Sequence, residues 1–259
     1  MIDLFNSPQF LARLQRRARQ AVLLTVLAVL SACAGNEETY DAVQDLQEAY
    51  DQAQSSIQRG NYRRGIQILE AIQARYPFSD IARQIQLDLM YAYYKSGAPE
   101  LAIEAAETFI RENPIHPRVD YALYIKGLSY FDDDPGLLER LFRKDTNKRP
   151  PKDVEQAYQA FRRLVERYPA SEYAPDAQQR MVYLKNRLAA YENSVADYYL
   201  RRGAYVAAAN RAKSALETYN GADSNAQSLR IMIAAYEELG MNDLAADAQR
   251  VLELNFPDS

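Results

Sequence analysis

Side chains that could support catalysis are few and scattered along the chain. There is one histidine, His116, between two prolines, and one cysteine, Cys33. Acidic groups such as Glu237 and Glu238, or the run 132–134, could serve acid–base catalysis, but such residues are usually solvated surface. Glycine-rich phosphate loops, nucleophile elbows and paired-histidine zinc motifs do not occur in the sequence. We therefore predict a protein that is not an enzyme and that uses no metal and no cofactor.

Cys33 is the residue whose position indicates a covalent modification. It follows four arginines, an apolar run at 21–30 that is too short to span a bilayer, and the tripeptide Leu30-Ser31-Ala32. This order resembles a bacterial lipoprotein signal, which implies cleavage before Cys33, a diacylglycerol on its sulfur and an acylated amino terminus. We predict a signal peptide at 1–32 and a lipidated tether at 33–39. Ala34, where an inner-membrane retention signal has Asp, favours the outer membrane.

The charge of the processed chain is acidic. Removing residues 1–32 leaves 27 basic and 34 acidic residues, a net charge of −7. An acidic body does not favour a nucleic-acid partner, and it does not favour lying flat on anionic lipid headgroups. With its only cysteine used by lipid, the chain can form no disulfide, so its stability must come from packing.

An 18-residue pattern recurs five times, at 60–77, 97–114, 152–169, 203–220 and 240–257. A small residue stands at the sixth position, where a helix must approach its neighbour closely: Gly65, Ala102, Ala157, Ala208 and Ala245. An apolar residue stands at the thirteenth: Ile72, Phe109, Leu164, Ala215 and Leu252. An aromatic residue usually stands at the seventeenth: Tyr76, Tyr168, Tyr219 and Phe256. Five copies at one internal spacing indicate a repeat architecture.

The pattern is similar to the second helix of a tetratricopeptide repeat, whose period is about 34 residues. The first helix of each repeat is expected before each copy. We predict an all-α fold, a right-handed solenoid of five helix–turn–helix tetratricopeptide repeats with an insertion in the third. The solenoid domain is placed at 40–259, with repeats at 43–79, 80–117, 118–172, 173–222 and 223–259.

Two spacings between the copies exceed the common 37 residues. The step of 55 residues between copies two and three predicts an insertion at 135–151, a short helical turn followed by a basic loop. The step of 51 residues between copies three and four contains no helix breaker from Pro175 to Arg202. Long or nearly continuous helices are therefore predicted there, joining the two halves of the repeat array stiffly.

First-helix positions expected to line the concave face are aromatic or apolar in the first three repeats: Tyr50, Ile57, Tyr91, Tyr94, Tyr121, Tyr124 and Phe131. The corresponding positions of the last two repeats are polar or charged: Asn193, Asp197, Arg201, Gln227, Arg230 and Glu237. Two interpretations of the aromatic residues remain open. The rings either line a groove for an extended client peptide or pack between helices.

Two stretches carry a closer resemblance, 71–79 with Ala-Ile-Gln-Ala-Arg-Tyr-Pro-Phe-Ser and 184–205, which begins Leu-Lys-Asn-Arg-Leu-Ala. With the lipoprotein signal and the five repeats, they resemble the BamD family of the outer-membrane β-barrel assembly machine. The resemblance implies an outer-membrane protein assembly factor, a periplasmic scaffold that binds unfolded β-barrel clients and couples them to the insertase BamA.

The same resemblance implies partners for the two ends of the repeat array. The C-terminal repeats are expected to dock on the POTRA region of BamA, with Arg187, Arg201 and Arg202 facing it. The N-terminal repeats are expected to hold clients, BamC or other lipoproteins of the complex. The alternative is a different outer-membrane tetratricopeptide lipoprotein that scaffolds cell-wall (peptidoglycan) enzymes.

Overall fold

The computed structural model describes residues 46–131 and 152–257. In these two ranges the chain forms ten α-helices and no strand. They are α1 Leu46–Gln58, α2 Tyr62–Arg75, α3 Ala82–Lys95, α4 Pro99–Glu112, α5 Val119–Tyr130, α6 Lys152–Arg167, α7 Ala174–Arg201, α8 Tyr205–Thr218, α9 Asn225–Glu238 and α10 Asn242–Asn255. The predicted all-α class and the five helix pairs are confirmed.

The chain divides into two compact units, residues 1–48 and residues 49–259. The described residues of the first unit, Leu46 to Glu48, form the first turn of α1. In the second unit, helices that are consecutive in sequence pack against one another. Tight turns at Gly60, Gly97, Gly203 and Gly240 join the two helices of a pair, each with φ between 70° and 78°. Glycine adopts this left-handed conformation without steric cost, which explains the residue that opens four of the five copies.

The recurring small and apolar positions are core positions. Every residue of the sixth and thirteenth positions is at most 8% exposed. A β-carbon added at Gly65 would lie 2.6 Å from Cγ1 of Ile57, so the first two helices leave no room for a side chain there. The thirteenth and seventeenth positions are linked through the backbone, since the Tyr76 amide donates to the Ile72 carbonyl at 2.8 Å and the other four copies repeat this bond.

Of the two departures from the regular spacing, the structure describes the second. The third repeat resumes with α6 after residues 132–151, so the predicted insertion at 135–151 lies outside the described residues. The second departure is a single helix, α7, which is 28 residues long and therefore spans about 42 Å at 1.5 Å per residue. The lengthened segment is thus one uninterrupted helix that belongs to the fourth repeat.

Two of the hydrophobic clusters in the described residues differ in composition. The first extends from α3 to α8 and contains the large side chains Met90, Phe109, Leu123, Phe161 and Leu184. The second lies between α7, α8 and α9 and consists of Ala196, Ala208, Ala209, Ala212, Ala235, Ile231 and Met232. The first cluster is therefore packed with bulky side chains, whereas the second consists mainly of alanine.

Candidate functional site

The six aromatic residues predicted to line a groove, together with their polar neighbours, form what we call the aromatic surface. Tyr50 lies on α1, two tyrosines lie on α3, two on α5, and Phe131 follows α5. All six are half-buried: Tyr50, Tyr91, Tyr94, Tyr121, Tyr124 and Phe131. The last five pack against the first hydrophobic cluster and retain an exposed part. The two interpretations are therefore compatible, because the rings take part in the core and also contribute to the surface.

Tyr50 is fixed by a carboxylate of the next repeat. Its hydroxyl donates to Oδ2 of Asp88 at 2.6 Å, and Nε2 of Gln54 donates to the same oxygen at 2.6 Å. Gln84 donates to the other oxygen of Asp88 at 3.0 Å. Burial raises the pKa of Asp88 and outweighs the three hydrogen bonds that lower it. Burial, followed by the bond to Asp88, also raises the pKa of Tyr50, so this hydroxyl remains a donor at neutral pH.

A stacked group of rings joins the third and fourth repeats. Tyr124 stacks on Tyr173, with centroids 4.7 Å apart and planes 20° apart, and Tyr121 lies 5.6 Å from Tyr173. The Arg118 guanidinium lies 4.9 Å from the Tyr121 ring centroid and donates to the Tyr173 hydroxyl at 3.1 Å. A cation on an aromatic face is attracted by the quadrupole of the ring. This edge of the surface therefore combines exposed ring area with positive charge.

Phe131 and Tyr124 are connected through an ion pair on α7. The Tyr124 hydroxyl donates to Asp176 at 2.8 Å, and Nε of Arg180 donates to the same carboxylate at 2.6 Å. The Arg180 guanidinium lies 4.9 Å from the Phe131 centroid. Burial followed by the Asp176 bond raises the pKa of Tyr124 to about 12. Burial pushes the pKa of Asp176 upward, but Arg180 and Tyr124 together lower it, so the carboxylate is ionised.

Tyr91 and Tyr94 occupy the surface between these two polar groups. The Tyr91 ring packs edge to face with Tyr62, at 6.4 Å between centroids. Burial raises the pKa of Tyr121, and Tyr91 is among the groups that contribute electrostatically to this rise. Tyr94 contributes in the same way to the raised pKa of Arg180, for which burial is the largest and opposing cause. The predicted residues of the second and third repeats are therefore within electrostatic range of one another.

Sequence reasoning missed the polar residues that hold the rings, namely Asp88, Arg118, Tyr173, Asp176 and Arg180. Tyr173 directly precedes α7, and Asp176 and Arg180 are four residues apart on one face of that helix. That spacing is a pattern in the sequence from which these residues could have been predicted to lie together. Asp88 could not have been found locally, because its aromatic partner is 38 residues away.

Two predicted concave positions are wrong. Ile57 is 8% exposed and packs against Gly65. Asn193 is fully buried: its Nδ2 donates to the Ser224 carbonyl at 2.9 Å, and its Oδ1 accepts from the Ser228 hydroxyl at 2.7 Å. The prediction for Asn193 assumed the common spacing of 37 residues between repeats. It fails because α7 contains the additional residues of the 51-residue step between copies three and four. A buried amide needs partners, and here it links α7 to α9.

The three arginines predicted to face BamA lie at different sites on and next to α7. Arg187 is half-buried, and its Nε is buried without a hydrogen-bond partner. Arg201 is exposed and pairs with Asp197 one turn earlier. Arg202 is exposed and caps the helix, with its guanidinium 5.3 Å from the exposed ring of Tyr198 and its Nε donating to that hydroxyl at 3.1 Å. Arg202 and Tyr198 are therefore available to a partner.

Other predicted sites give limited information. In residues 46–131 and 152–257, no three His, Cys, Asp or Glu side chains are grouped so that they could hold a metal ion. Within the same ranges, no helix has the length and apolarity needed to cross a membrane. Cys33, the signal peptide at 1–32 and the tether at 33–39 lie outside the described residues.

Comparison with known proteins gives consistent matches over most of the chain. The family model described as "YfiO: Outer membrane lipoprotein" matches residues 42–252. A relative from Neisseria meningitidis serogroup A is 45% identical over 245 residues, covering 92% of each chain. A relative from Vibrio cholerae is 40% identical over 234 residues, covering 90% of this chain and 97% of the relative. Both relatives are called outer membrane protein assembly factor BamD. The present chain therefore belongs to the YfiO family of outer-membrane lipoproteins.

Proposed function

We propose that this protein is an outer-membrane protein assembly factor. In this proposal it is anchored to the membrane through lipid on Cys33, lies on the periplasmic face and belongs to the β-barrel assembly complex. It binds unfolded β-barrel segments and passes them to the insertase BamA. The names of relatives that are 40–45% identical over at least 90% of this chain favour this role over a scaffold for peptidoglycan enzymes.

The aromatic surface is the observation that carries the client-binding part of the proposal. Strands of outer-membrane barrels alternate apolar and polar residues and end in aromatic girdles. An extended client segment can place aromatic side chains against the half-buried rings of α3 and α5. Its backbone amides can donate to carboxylates such as Asp88 and Asp176, which already accept hydrogen bonds at this surface.

The chemistry of this surface suits weak and reversible binding. Aromatic pairs contribute about 0.5–1.5 kcal/mol each beyond the area they bury. Because the hydroxyls of Tyr50 and Tyr124 already have partners, a client gains few new hydrogen bonds from them. Weak binding allows release, which transfer of a client to an insertase requires.

A crosslinking experiment on two matched double variants tests the client site. Tyr91→Ala with Tyr124→Ala removes two rings of the aromatic surface and should abolish crosslinking to a β-strand peptide from a barrel protein. Tyr93→Ala with Tyr158→Ala removes two rings that are also half-buried but face Glu70 and Tyr219, and should leave crosslinking unchanged. Thermal melting of both variants checks that each still folds. Normal crosslinking by a folded first variant would place the client site elsewhere.

The anchor is tested separately by Cys33→Ser. Since the described fold begins at Leu46, this variant should retain the helical circular dichroism spectrum. It should also be unprocessed or soluble when cell envelopes are fractionated. Recovery of Cys33→Ser in the outer membrane at the wild-type level, in cells that lack BamA, would refute lipid anchoring at this residue.

A further inference from the structure

Two large apolar side chains are almost completely exposed at the turns that follow the first and second repeats. Phe78, in the turn between α2 and α3, is 98% exposed, and Ile115, in the turn between α4 and α5, is 96% exposed. Among the large hydrophobic residues that the structure describes, the next most exposed, Leu254, is 82% exposed. Packing among the residues that the structure describes therefore does not explain why these turns contain Phe and Ile.

Phe78 and Ile115 occupy the same position in successive repeats. Each directly follows the proline that ends an 18-residue copy, and they are 37 residues apart, the distance between the first two copies. The same position is Ala170 after the third repeat and Gly221 after the fourth. The apolar pair is thus confined to the two N-terminal repeats, although the turn itself recurs.

Both side chains lie at the edge where the chain enters the repeat array. Consecutive helices joined by short turns run antiparallel, so turns that follow even-numbered helices share one edge. The N-terminal end of the repeat unit, at Ala49 on α1, lies at this same edge. The start of α1 therefore lies at the same edge of the repeat array as these two turns.

We propose that Phe78 and Ile115 insert into the lipid interface of the membrane that carries the anchor, so that this edge of the first two repeats faces the lipid. The proposal rests on the lipid anchor at Cys33. Cys33 precedes Leu46, the first residue of α1, by 46 − 33 = 13 positions. A chain of that length spans at most about 45 Å, so the anchor confines the start of α1 to within about 45 Å of the membrane surface.

The charge around the two side chains is compatible with a lipid surface. Seven charged residues lie within five positions of Phe78 or Ile115 in the sequence. The basic ones are Arg75, Arg83, Arg111 and Arg118, and the acidic ones are Asp80, Glu112 and Asp120. Their sum is +1, and it becomes 0 when Glu172, which pairs with Arg118 at 3.4 Å, is included, whereas the processed chain as a whole carries −7. Long arginine side chains can keep their charge in the headgroup region while an apolar neighbour enters the bilayer. The edge therefore lacks the repulsion from anionic lipid that the rest of the chain would experience.

Fluorescence quenching by lipid tests the proposal on the complete lipidated chain. A fluorophore on Asp80→Cys reports on the Phe78 turn, and one on Gln58→Cys reports on the opposite edge as a matched control. In vesicles of phosphatidylethanolamine and phosphatidylglycerol with brominated chains, position 80 should be quenched at least about twofold more than position 58. Phe78→Ser with Ile115→Ser should reduce quenching at position 80 to the level at position 58. Equal quenching at both positions, or no effect of the double variant, would overturn the proposal.

Two controls separate the possible reasons for failure. The mass of the N-terminal peptide after proteolysis shows whether Cys33 carries lipid, so loss of the anchor is detected independently of the turns. A Cys33→Ser chain produced without residues 1–32 carries neither lipid nor the apolar run at 21–30, and it should also bind the same vesicles weakly. Its double serine variant should bind about tenfold less. Unchanged binding of the double variant would likewise overturn the proposal. Because both side chains are exposed, the serine variants should melt at the wild-type temperature.

Discussion

The two halves of the repeat array solve the same packing problem with different side chains. In the N-terminal half, bulky residues such as Phe109 and Phe161 fill the core, and tyrosine hydroxyls bond to carboxylates at the surface. In the C-terminal half, alanines make up most of the cluster between α7, α8 and α9, and a fully buried amide, Asn193, joins α7 to α9. The repeat spacing therefore fixes where side chains pack but leaves open how large they are. It also leaves open where the polar contacts lie.

Removal of the largest side chain at the centre of the N-terminal core should have the greatest effect on stability. Phe161 is fully buried, and a β-carbon on Gly127 would lie 2.5 Å from its ring, so the ring fills its space tightly. Phe161→Ala should lower the free energy of unfolding by about 3–5 kcal/mol. In the C-terminal core, Ala212→Gly should cost only about 1 kcal/mol, chiefly through helix propensity. Urea unfolding followed by circular dichroism measures both, and equal losses would contradict the proposed difference between the halves.

Removal of the buried amide of Asn193, in the C-terminal half, should have the second-largest effect on the free energy of unfolding. Asn193→Ala leaves the Ser228 hydroxyl and the Ser224 carbonyl without this partner and should cost about 1–3 kcal/mol. Asn186→Ala, which removes only exposed hydrogen bonds to Asp223, is the control and should cost less than about 0.5 kcal/mol. If Asn193→Ala is as stable as the control, the amide does not stabilise the junction of α7 and α9.

The surface hydrogen bonds of the N-terminal half should have a smaller effect that depends on pH. Tyr124→Phe removes the bond to Asp176 and should cost about 0.5–1.5 kcal/mol at neutral pH. The folded-state pKa of Tyr124 is raised to about 12, so its contribution is complete below about pH 10 and is lost as pH rises toward 12. Melting temperatures measured across this range should therefore fall less steeply for Tyr124→Phe than for the wild type. Identical slopes would show that this hydroxyl is not coupled to folding.

The smallest effect on stability is expected at Arg202, on the exposed surface of the C-terminal half. Arg202→Glu places an acid at the carbonyl end of α7 and should cost at most about 1 kcal/mol. If Arg202 contacts BamA, the same change should strongly reduce co-purification of BamA, whereas Arg250→Glu on α10 should not. A large fall in melting temperature with normal recovery of BamA would instead assign Arg202 to capping the helix.

The sequence was informative wherever a residue's role depends on local spacing. The five copies predicted the helix pairs, the close approach at Gly65 and Ala102, and the uninterrupted helix after Pro175, all of which the structure contains. Each of these follows from helical periodicity and the presence or absence of helix breakers within a short window.

The polar contacts could not be predicted because they connect different repeats. Tyr124 and Asp176 are 52 residues apart, and Asn193 and Ser228 are 35 apart. Equivalent positions in the repeats were assigned with a constant spacing. This assignment is incorrect within α7, because α7 is longer than the other helices, and Asn193 was therefore expected at the surface. Local periodicity does not determine which side chains meet across an irregular repeat.

The length of α7 has a consequence for how the protein unfolds. Solenoids whose repeats contact only their neighbours can lose terminal repeats one at a time. Here Ala177, Leu184 and Leu188 of α7 belong to the bulky cluster, and Ala196 of the same helix belongs to the alanine cluster. Because α7 contributes to both clusters, melting of one cluster removes the tertiary contacts that support part of α7. Helix formation is cooperative, so loss of that part also destabilises the part of α7 in the other cluster. Helices α3 to α9, which contribute to these two clusters, should therefore unfold in one shared transition, while α1 and α2 are free to fray earlier.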